Sequence, residues 1–316
     1  MMKPAISILM SLFNETETQI RESIESIENQ TLHDFELIIL CDNPNRKDVE
    51  SIIKTYADDR IVLEYNKKNI GLAMSMNRAA SIAKSDVFAR MDADDIAYPT
   101  RLEEEYQVLM SENVDLVFTN FTYIDNQSSD IKDKHHSFPS NLKEMIPSEE
   151  IALRPALIHH PTVMMRRGMF EKVGGYRNFP CAQDADLWMR MQEAGAKFYL
   201  LNKSLMKYRI NPNSTTVRKY FKQQLTVHYI YKLSVDRLQN GKDDFSVEAY
   251  NNYLEEAGIN NQKVEIKFRQ GINYLRKAKQ SVFPINIMYR LFAFLICKQL
   301  RSYNNNKKLK QKLLGV

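Results

Sequence analysis

Asp86-Val-Phe-Ala-Arg-Met-Asp92-Ala-Asp94-Asp95 is an apolar run that ends in three carboxylates. Residues 87–91 read as a buried strand, which puts the acids at its carboxyl end, where open α/β sheets place their ligands. Carboxylates packed this closely repel one another, and a shared divalent cation bound by oxygen relieves the repulsion. A cation held by two or three protein oxygens keeps open positions that suit a diphosphate. The same letters also fit an acidic turn capping the helix that begins near Pro99, because Asp is favoured in turns and at helix starts.

Working outward, residues 5–11, 35–41, 61–65 and 114–119 read as further strands. Residues 17–29, 46–57, 72–84 and 101–110 read as the helices between them. Strand–helix alternation with short connections predicts crossover units and a mostly parallel sheet. Asp42 then ends the second strand as Asp92 ends the fourth, and the two acids flank one crevice. Residues 120–160 read as an irregular, mobile surface excursion over that crevice. Residues 162–201 return to order, with a Gly174-Gly175 turn and a helix over about 186–194. From about residue 217 the pattern is helical and basic.

A chain of 316 residues with 44% hydrophobic and 26% charged residues is a folded protein of one large domain with an appendage, or of two domains. Its net charge of +5 conceals an asymmetry: residues 1–200 carry 22 Lys+Arg against 32 Asp+Glu, and residues 201–316 carry 22 against 7. The acidic part suits a metal; the basic part suits phosphates or anionic lipid. No nucleic-acid-binding motif accompanies the positive charge, and the acidic first part argues against an extended basic groove. Cys41, Cys181 and Cys297 form no CxxC pair, which favours a reducing compartment. The apolar stretch 5–13 reads as the first strand, not a signal peptide, and no apolar run approaches the 18 residues of a spanning helix.

There is no GxxxxGK[ST] or GxGxxG loop to cradle phosphates. The counter-charge then falls to a cation at Asp94, with Asp92 shared between metal and ribose. Lys207, Arg209, Arg218 and Lys219 add positive charge there or form a solvated face. Cys181-Ala-Gln-Asp184-Ala-Asp186-Leu-Trp188 places two acids at a helix start beside the only Trp. A carboxylate partly desolvated there has its pKa raised toward that of a general base, and the indole offers a sugar a flat face. Ordinary N-capping with Trp188 in the core fits equally. His160, in His159-His160-Pro161-Thr162, is a substrate contact or a structural turn residue. Residues 283–301 read as one amphipathic helix with Asn286, Arg290 and Arg301 on a narrow stripe and Lys298 nearby. It either lies in a membrane interface, helped by the basic tail at 307–312, or packs on the protein.

Together these motifs resemble family 2 glycosyltransferases. The resemblance runs over about residues 4–215. It is carried by Ile6-Ser-Ile-Leu-Met-Ser-Leu-Phe-Asn14, Ser26-Ile-Glu-Asn-Gln30-Thr, Phe35-Glu-Leu-Ile-Ile-Leu-Cys-Asp42, Asn69-Ile-Gly71-Leu-Ala with Asn77, and Ala89-Arg-Met-Asp92-Ala-Asp94-Asp95. His160-Pro-Thr-Val-Met, Gly174-Gly-Tyr and Gln183-Asp184-Ala-Asp186-Leu-Trp188 continue it. It implies an α/β GT-A fold. Residues 1–119 would form the nucleotide-sugar-binding half, residues 120–215 the acceptor-binding half, and residues 216–316 a basic helical extension that either associates with a membrane or packs on the protein.

The implied activity is inverting, Mn²⁺- or Mg²⁺-dependent transfer of a hexosyl or N-acetylhexosaminyl group from a UDP-sugar to a glycan or polyprenyl-linked oligosaccharide. The setting would be surface-polysaccharide synthesis (capsule or O-antigen) at the cytoplasmic, inner face of the plasma membrane, with no nucleic acid involved. Carried onto this chain, Asp42 would recognise uracil, Asp92 and Asp94 would form the metal-binding DxD motif, and Asp184 would be the catalytic base. Asn69, Asn77 and Arg209 would join the donor site, and His160, Asp186 and Trp188 would meet acceptor or sugar. Two departures stand out: Cys41-Asp42-Asn43-Pro44 replaces the paired acids and Gly-Ser of many members, and Gln183-Asp184 replaces Glu-Asp. A catalytically silent nucleotide-sugar-binding or membrane-scaffold subunit is an alternative that the first departure permits. A sugar-phosphate nucleotidylyltransferase would want a Gly-rich basic loop after the first strand, where Ser11-Leu-Phe-Asn14-Glu15 stands instead.

Overall fold

A computed structural model describes residues 3–136, 138, 142–210 and 219–316, with the side chains of 133–135 not described. It divides into two compact units, Met1–Pro212 and Asn213–Val316.

The first unit is a ten-stranded sheet with helices on both faces. Its opening strands are β1 (Ile6–Leu12), β2 (Phe35–Cys41), β3 (Ile61–Tyr65) and β4 (Val87–Asp92). They pair in parallel in the order β3-β2-β1-β4. Parallel pairing needs crossovers, supplied by α1 (Glu17–Glu28), α2 (Asp48–Lys54) and α3 (Leu72–Ile82). Strand residues alternate between two cores: Leu37 and Ile39 of β2 face one, Ile38 and Leu40 the other. Ile20, Ile24 and Ile27 of α1 cover the first core, and Ala73, Met76 and Ala79 of α3 the second. A capping box, with Thr16 and Gln19 each accepting the other's backbone N–H, starts α1 immediately after β1.

A two-residue β5 (Ile96–Ala97) and α4 (Arg101–Ser111) follow the acidic turn. The sheet continues through β9 (Val163–Arg166), β6 (Leu116–Ile124) and β10 (Phe198–Arg209); β9 is antiparallel to both β4 and β6. The expectation of an irregular excursion over 120–160 needs correction. β6 runs on to Ile124 and pairs with β7 (Asp130–His135), β8 (Met145–Ile146) pairs with β10, and α5 (Ser148–Leu153) follows. Only residues 137 and 139–141 of that stretch lie outside the described ones. Polar Asn120 and Thr122 interrupt the apolar run while the pairing continues, which hid the strand's second half. α6 (Arg167–Lys172) and α7 (Gln183–Glu193) close the second face.

The second unit consists of α8 (Tyr220–Asn240), α9 (Val247–Glu256), α10 (Gln262–Gln280), α11 (Ile285–Ile296) and α12 (Lys298–Leu314). The single helix expected over 283–301 is broken, because Cys297 is extended at φ −131° and ψ 105°. Lys298 and Arg301 therefore belong to α12 and share no stripe with Arg290. Gly271 lets α10 approach its neighbours closely: a Cβ there would stand 2.5 Å from Leu300 Cδ1. No helix among the described residues is long and apolar enough to cross a membrane.

Candidate active site

The parallel order β2-β1-β4 puts the carboxyl ends of three strands side by side, with Leu12 opposite Cys41 and Ser11 opposite Asp92. Asp42 and Asp92 thus flank β1. Asp92 begins a turn closed by Asp95 N–H donating to Asp92 O at 3.3 Å. The turn gathers Asp92, Asp94 and Asp95 so that one oxygen from each lies within 4.8 Å of the others.

Burial, then the charges of Asp92 and Glu15, push the Asp94 pKa up to about 7, with Arg209 pulling the other way. Asp95 is buried and raised well above the usual carboxylate range, first by desolvation and then by Asp94 and Asp92. Its Oδ1 accepts from the Arg209 N–H at 2.8 Å, while Oδ2 has no hydrogen-bond partner. Closely packed carboxylates, an orphaned buried oxygen and strained protonation are the donor set of a hard divalent cation, so the residues fit Mn²⁺ or Mg²⁺.

Asp184 stands at the start of α7, where its Oδ1 accepts from Ala185 N–H at 2.9 Å. Burial is the main cause raising its pKa and the Asp92 charge adds to it, while the Ala185 amide opposes. A carboxyl tuned upward in this way suits a general base. Ala182, just before Gln183, holds a left-handed φ of 56°, a conformation that costs a non-glycine residue about 1–3 kcal/mol. Tyr176 and Arg90 complete the cluster, since both interact electrostatically with Asp92 and Asp184. His160 joins through Tyr176, with Nε2 2.7 Å from the phenol oxygen, and burial keeps the imidazole neutral.

Several expected contacts are spent differently. Asp42 accepts from Asn66 Nδ2, Ile70 N–H and Gly71 N–H, each at 2.8 Å, so three of its roughly four acceptor sites hold the 66–71 loop. Asn69 is exposed and accepts from Gly71 N–H at 3.1 Å. Asn77 clamps Tyr176, donating to its carbonyl at 2.8 Å and accepting its N–H at 2.9 Å. Gly175 is required beside it, with φ 65° and a Cβ position 2.7 Å from Asn77 Oδ1.

Arg209 presents no exposed side-chain surface: its guanidinium donates to Asp94 O, Asp125 O, Ser128 Oγ and Glu22 Oε2. It braces the acidic turn and has no face left for a donor, which corrects the expectation of direct contact. Lys207 pairs with Asp130 at 3.0 Å, Lys219 belongs to the second unit, and Arg218 lies outside the described residues.

The sugar-contact expectation for Trp188 and Asp186 is likewise corrected. α7 begins at Gln183 and is buried on nearly every side, so both residues are 0% exposed. Trp188 packs in the core with Leu187 and Met191. Asp186 accepts from Arg190 Nε at 2.8 Å, and Arg190 in turn donates to Gly175 O at 2.8 Å, securing the turn that carries Tyr176.

Sequence reasoning missed Glu15, Arg90 and Tyr176. Glu15 ends the loop after β1, beside Asp92 and Asp94, and burial raises its pKa. Its place past an apolar run was the available signal. Arg90, a buried cation inside an apolar strand, pairs with Asp92.

The model of glycosyl transferase family 2 matches residues 7–174. An uncharacterized glycosyltransferase of Methanocaldococcus jannaschii is 35% identical over 233 residues, covering 73% of this chain and 79% of its own. The O-antigen biosynthesis glycosyltransferase WbnJ of Escherichia coli is 29% identical over 213 residues, covering 66% and 81%. In structure, residues 1–349 of S. aureus TarS, solved with UDP-GlcNAc, superpose with a TM-score of 0.63 at 14% identity, over 97% of this chain and 90% of that one. That likeness bears out the expected GT-A fold, and the sequence matches bear out the resemblance: this chain belongs to glycosyltransferase family 2.

Proposed function

We propose that the protein transfers a hexosyl or N-acetylhexosaminyl group from a UDP-sugar to a hydroxyl of a glycan or lipid-linked oligosaccharide, with inversion, in surface-polysaccharide synthesis. The observation that carries this reading is the cluster of Asp92, Asp94 and Asp95 at the end of β4, one oxygen of each within 4.8 Å of the others, with the buried Asp184 at the start of α7 in electrostatic reach of Asp92. The solved relative TarS holds UDP-GlcNAc, and WbnJ serves O-antigen synthesis; both support the donor and pathway class.

In this reading residues 1–119 hold the donor and residues 120–215 receive the acceptor. Asp92 and Asp94, with Asp95 behind them, hold Mn²⁺ or Mg²⁺. Such an ion supplies Lewis-acid stabilisation of the charge that develops on a departing diphosphate. Arg209 and Arg90 fix the acidic residues in place. Asp42 and Asn69 shape the loop at the base-binding edge, where Asp42 keeps one acceptor site for a base N–H. Asp184 takes the proton of the incoming hydroxyl as its oxygen attacks the anomeric carbon in line, so one displacement inverts the configuration. His160 and Tyr176, neutral and hydrogen-bonded, border the acceptor side. The exposed apolar residues of α11 and the basic second unit support a peripheral location on the inner face of the plasma membrane.

A panel of UDP-sugars with Mn²⁺ and lipid-linked or glycan acceptors tests this. UDP release should depend on acceptor, and NMR of the new linkage should show an inverted anomeric centre. A retained configuration would exclude Asp184 as the base of a single displacement.

A further inference from the structure

The second unit contains a cavity of about 460 Å³ bounded by α8, α10, α11 and α12. Part of its wall is apolar, through Leu275, Phe294 and Leu300. Lys279, Arg290 and Lys308 also line it and are exposed, marking its open side. No Asp or Glu lines the cavity, and residues 266–316 carry 12 Lys+Arg and no Asp or Glu of their own.

His228 lines the cavity too, only 4% exposed, with its ring stacked 4.2 Å from Tyr303 and its Nδ1 lacking any hydrogen-bond partner. Buried polar atoms without partners are uncommon, and this one belongs to a residue that lines the cavity. Burial holds this imidazole neutral.

α11 links the cavity to an unusual surface. Arg290 and Phe294 face the cavity, and Leu291 and Leu295, each one position on, are 58% and 70% exposed. At about 100° per residue the exposed apolar stripe borders the cavity stripe. Val282 and Phe283, just before the helix, are each 75% exposed.

We propose that this cavity binds the phosphate-bearing head of a membrane lipid, with the apolar face of α11 seated in the interface beside it. Inorganic phosphate would satisfy the cations and His228 but leave the apolar wall unused. A lipid phosphate matches both, its first carbons against Leu275, Phe294 and Leu300 and its oxygens toward Lys279, Arg290 and Lys308. The idea deepens the peripheral-membrane reading and rests on it for access to the ligand.

The test is calorimetric titration of the full chain with soluble dioctanoyl phosphatidic acid and, separately, with inorganic phosphate. We expect saturable one-to-one lipid binding, at least tenfold weaker inorganic phosphate, and at least a tenfold loss for Lys279→Ala/Lys308→Ala, whose exposed sites leave folding intact. Equal affinity of variant and wild type, or of phosphate and lipid, overturns the proposal. Leu291→Glu/Leu295→Glu separates the two ideas in sedimentation with phosphatidylcholine–phosphatidic acid vesicles. It should abolish vesicle binding while leaving the soluble titration unchanged. Soluble lipid binding by a wild type that ignores vesicles would sink the peripheral-membrane reading alone. Vesicle binding without soluble lipid binding would sink the cavity.

Discussion

The carboxyl edge of the sheet and the helical C-terminal unit use charge in opposite ways. At the sheet edge the charges are buried, of both signs and braced: Arg209 alone makes four side-chain bonds that hold Asp94, the 125–128 turn and Glu22 together. In the second unit the charges are mostly exposed and mostly positive, 19 Lys+Arg against 7 Asp+Glu over residues 213–316, beside exposed leucines on α11. Buried charge in a fixed frame tunes pKa values and orients reacting groups, whereas exposed charge beside apolar surface attracts without fixing geometry. In the proposed function, chemistry therefore belongs to the first unit and location to the second.

The sharpest way to break that contrast is at Asp184. Asp184→Asn should lower sugar transfer by about 10²–10⁴-fold, the range of a lost general base, while UDP affinity stays within a few-fold. Transfer kinetics beside UDP titration check it, and transfer near the wild-type rate would remove Asp184 from the mechanism.

Arg209→Met should come next. Leaving Glu22 and the acidic turn without their buried cation costs roughly 3–5 kcal/mol, read in urea unfolding monitored by circular dichroism. Arg290→Met, at an exposed position, should cost under about 0.5 kcal/mol by the same measurement. Equal costs would erase the distinction between braced and exposed charge.

Leu291→Glu should weaken binding to anionic vesicles by about tenfold or more, since it replaces exposed apolar area that docking would bury with a charge of the same sign as the vesicle surface. Its UDP-sugar hydrolysis should be unchanged.

Per unit of the variable changed, the mildest effect is a pH dependence. Asp94, surrounded by Asp92, Asp95, Glu15 and Arg209, has a pKa of about 7, raised from the ordinary value. An acid with a raised folded pKa destabilises the metal-free fold as pH rises through that value, and a cation binds only the ionised form. Mn²⁺ affinity should therefore fall roughly tenfold per pH unit below about 7 and level off above it. A flat affinity from pH 5 to 8 would show that Asp94 is not a ligand.

Much of this was legible from letters. Mostly apolar runs marked β1, β2 and β4, and their shared direction put Asp42 and Asp92 on one edge. What could not be read were the partners of polar groups. Nothing local says that Asn77 holds Tyr176, 99 positions away, or that Arg209 spends its guanidinium on Glu22, 187 positions away. Trp188 failed for a related reason. Its helix starts at Gln183 and is covered almost all round, so amphipathic logic could not choose its exposed side. The break at Cys297 was also hidden, because it is a backbone event within an otherwise helical pattern.

The account stands on carboxylates at the end of β4 gripping a cation that in turn carries the donor's diphosphate. Calorimetric titration of UDP, with Mn²⁺ and with chelator, into wild type and Asp94→Ala tests it most directly. Manganese should tighten UDP binding at least tenfold in the wild type and leave the variant unaffected. Equal tightening in both proteins, or none in either, would contradict it.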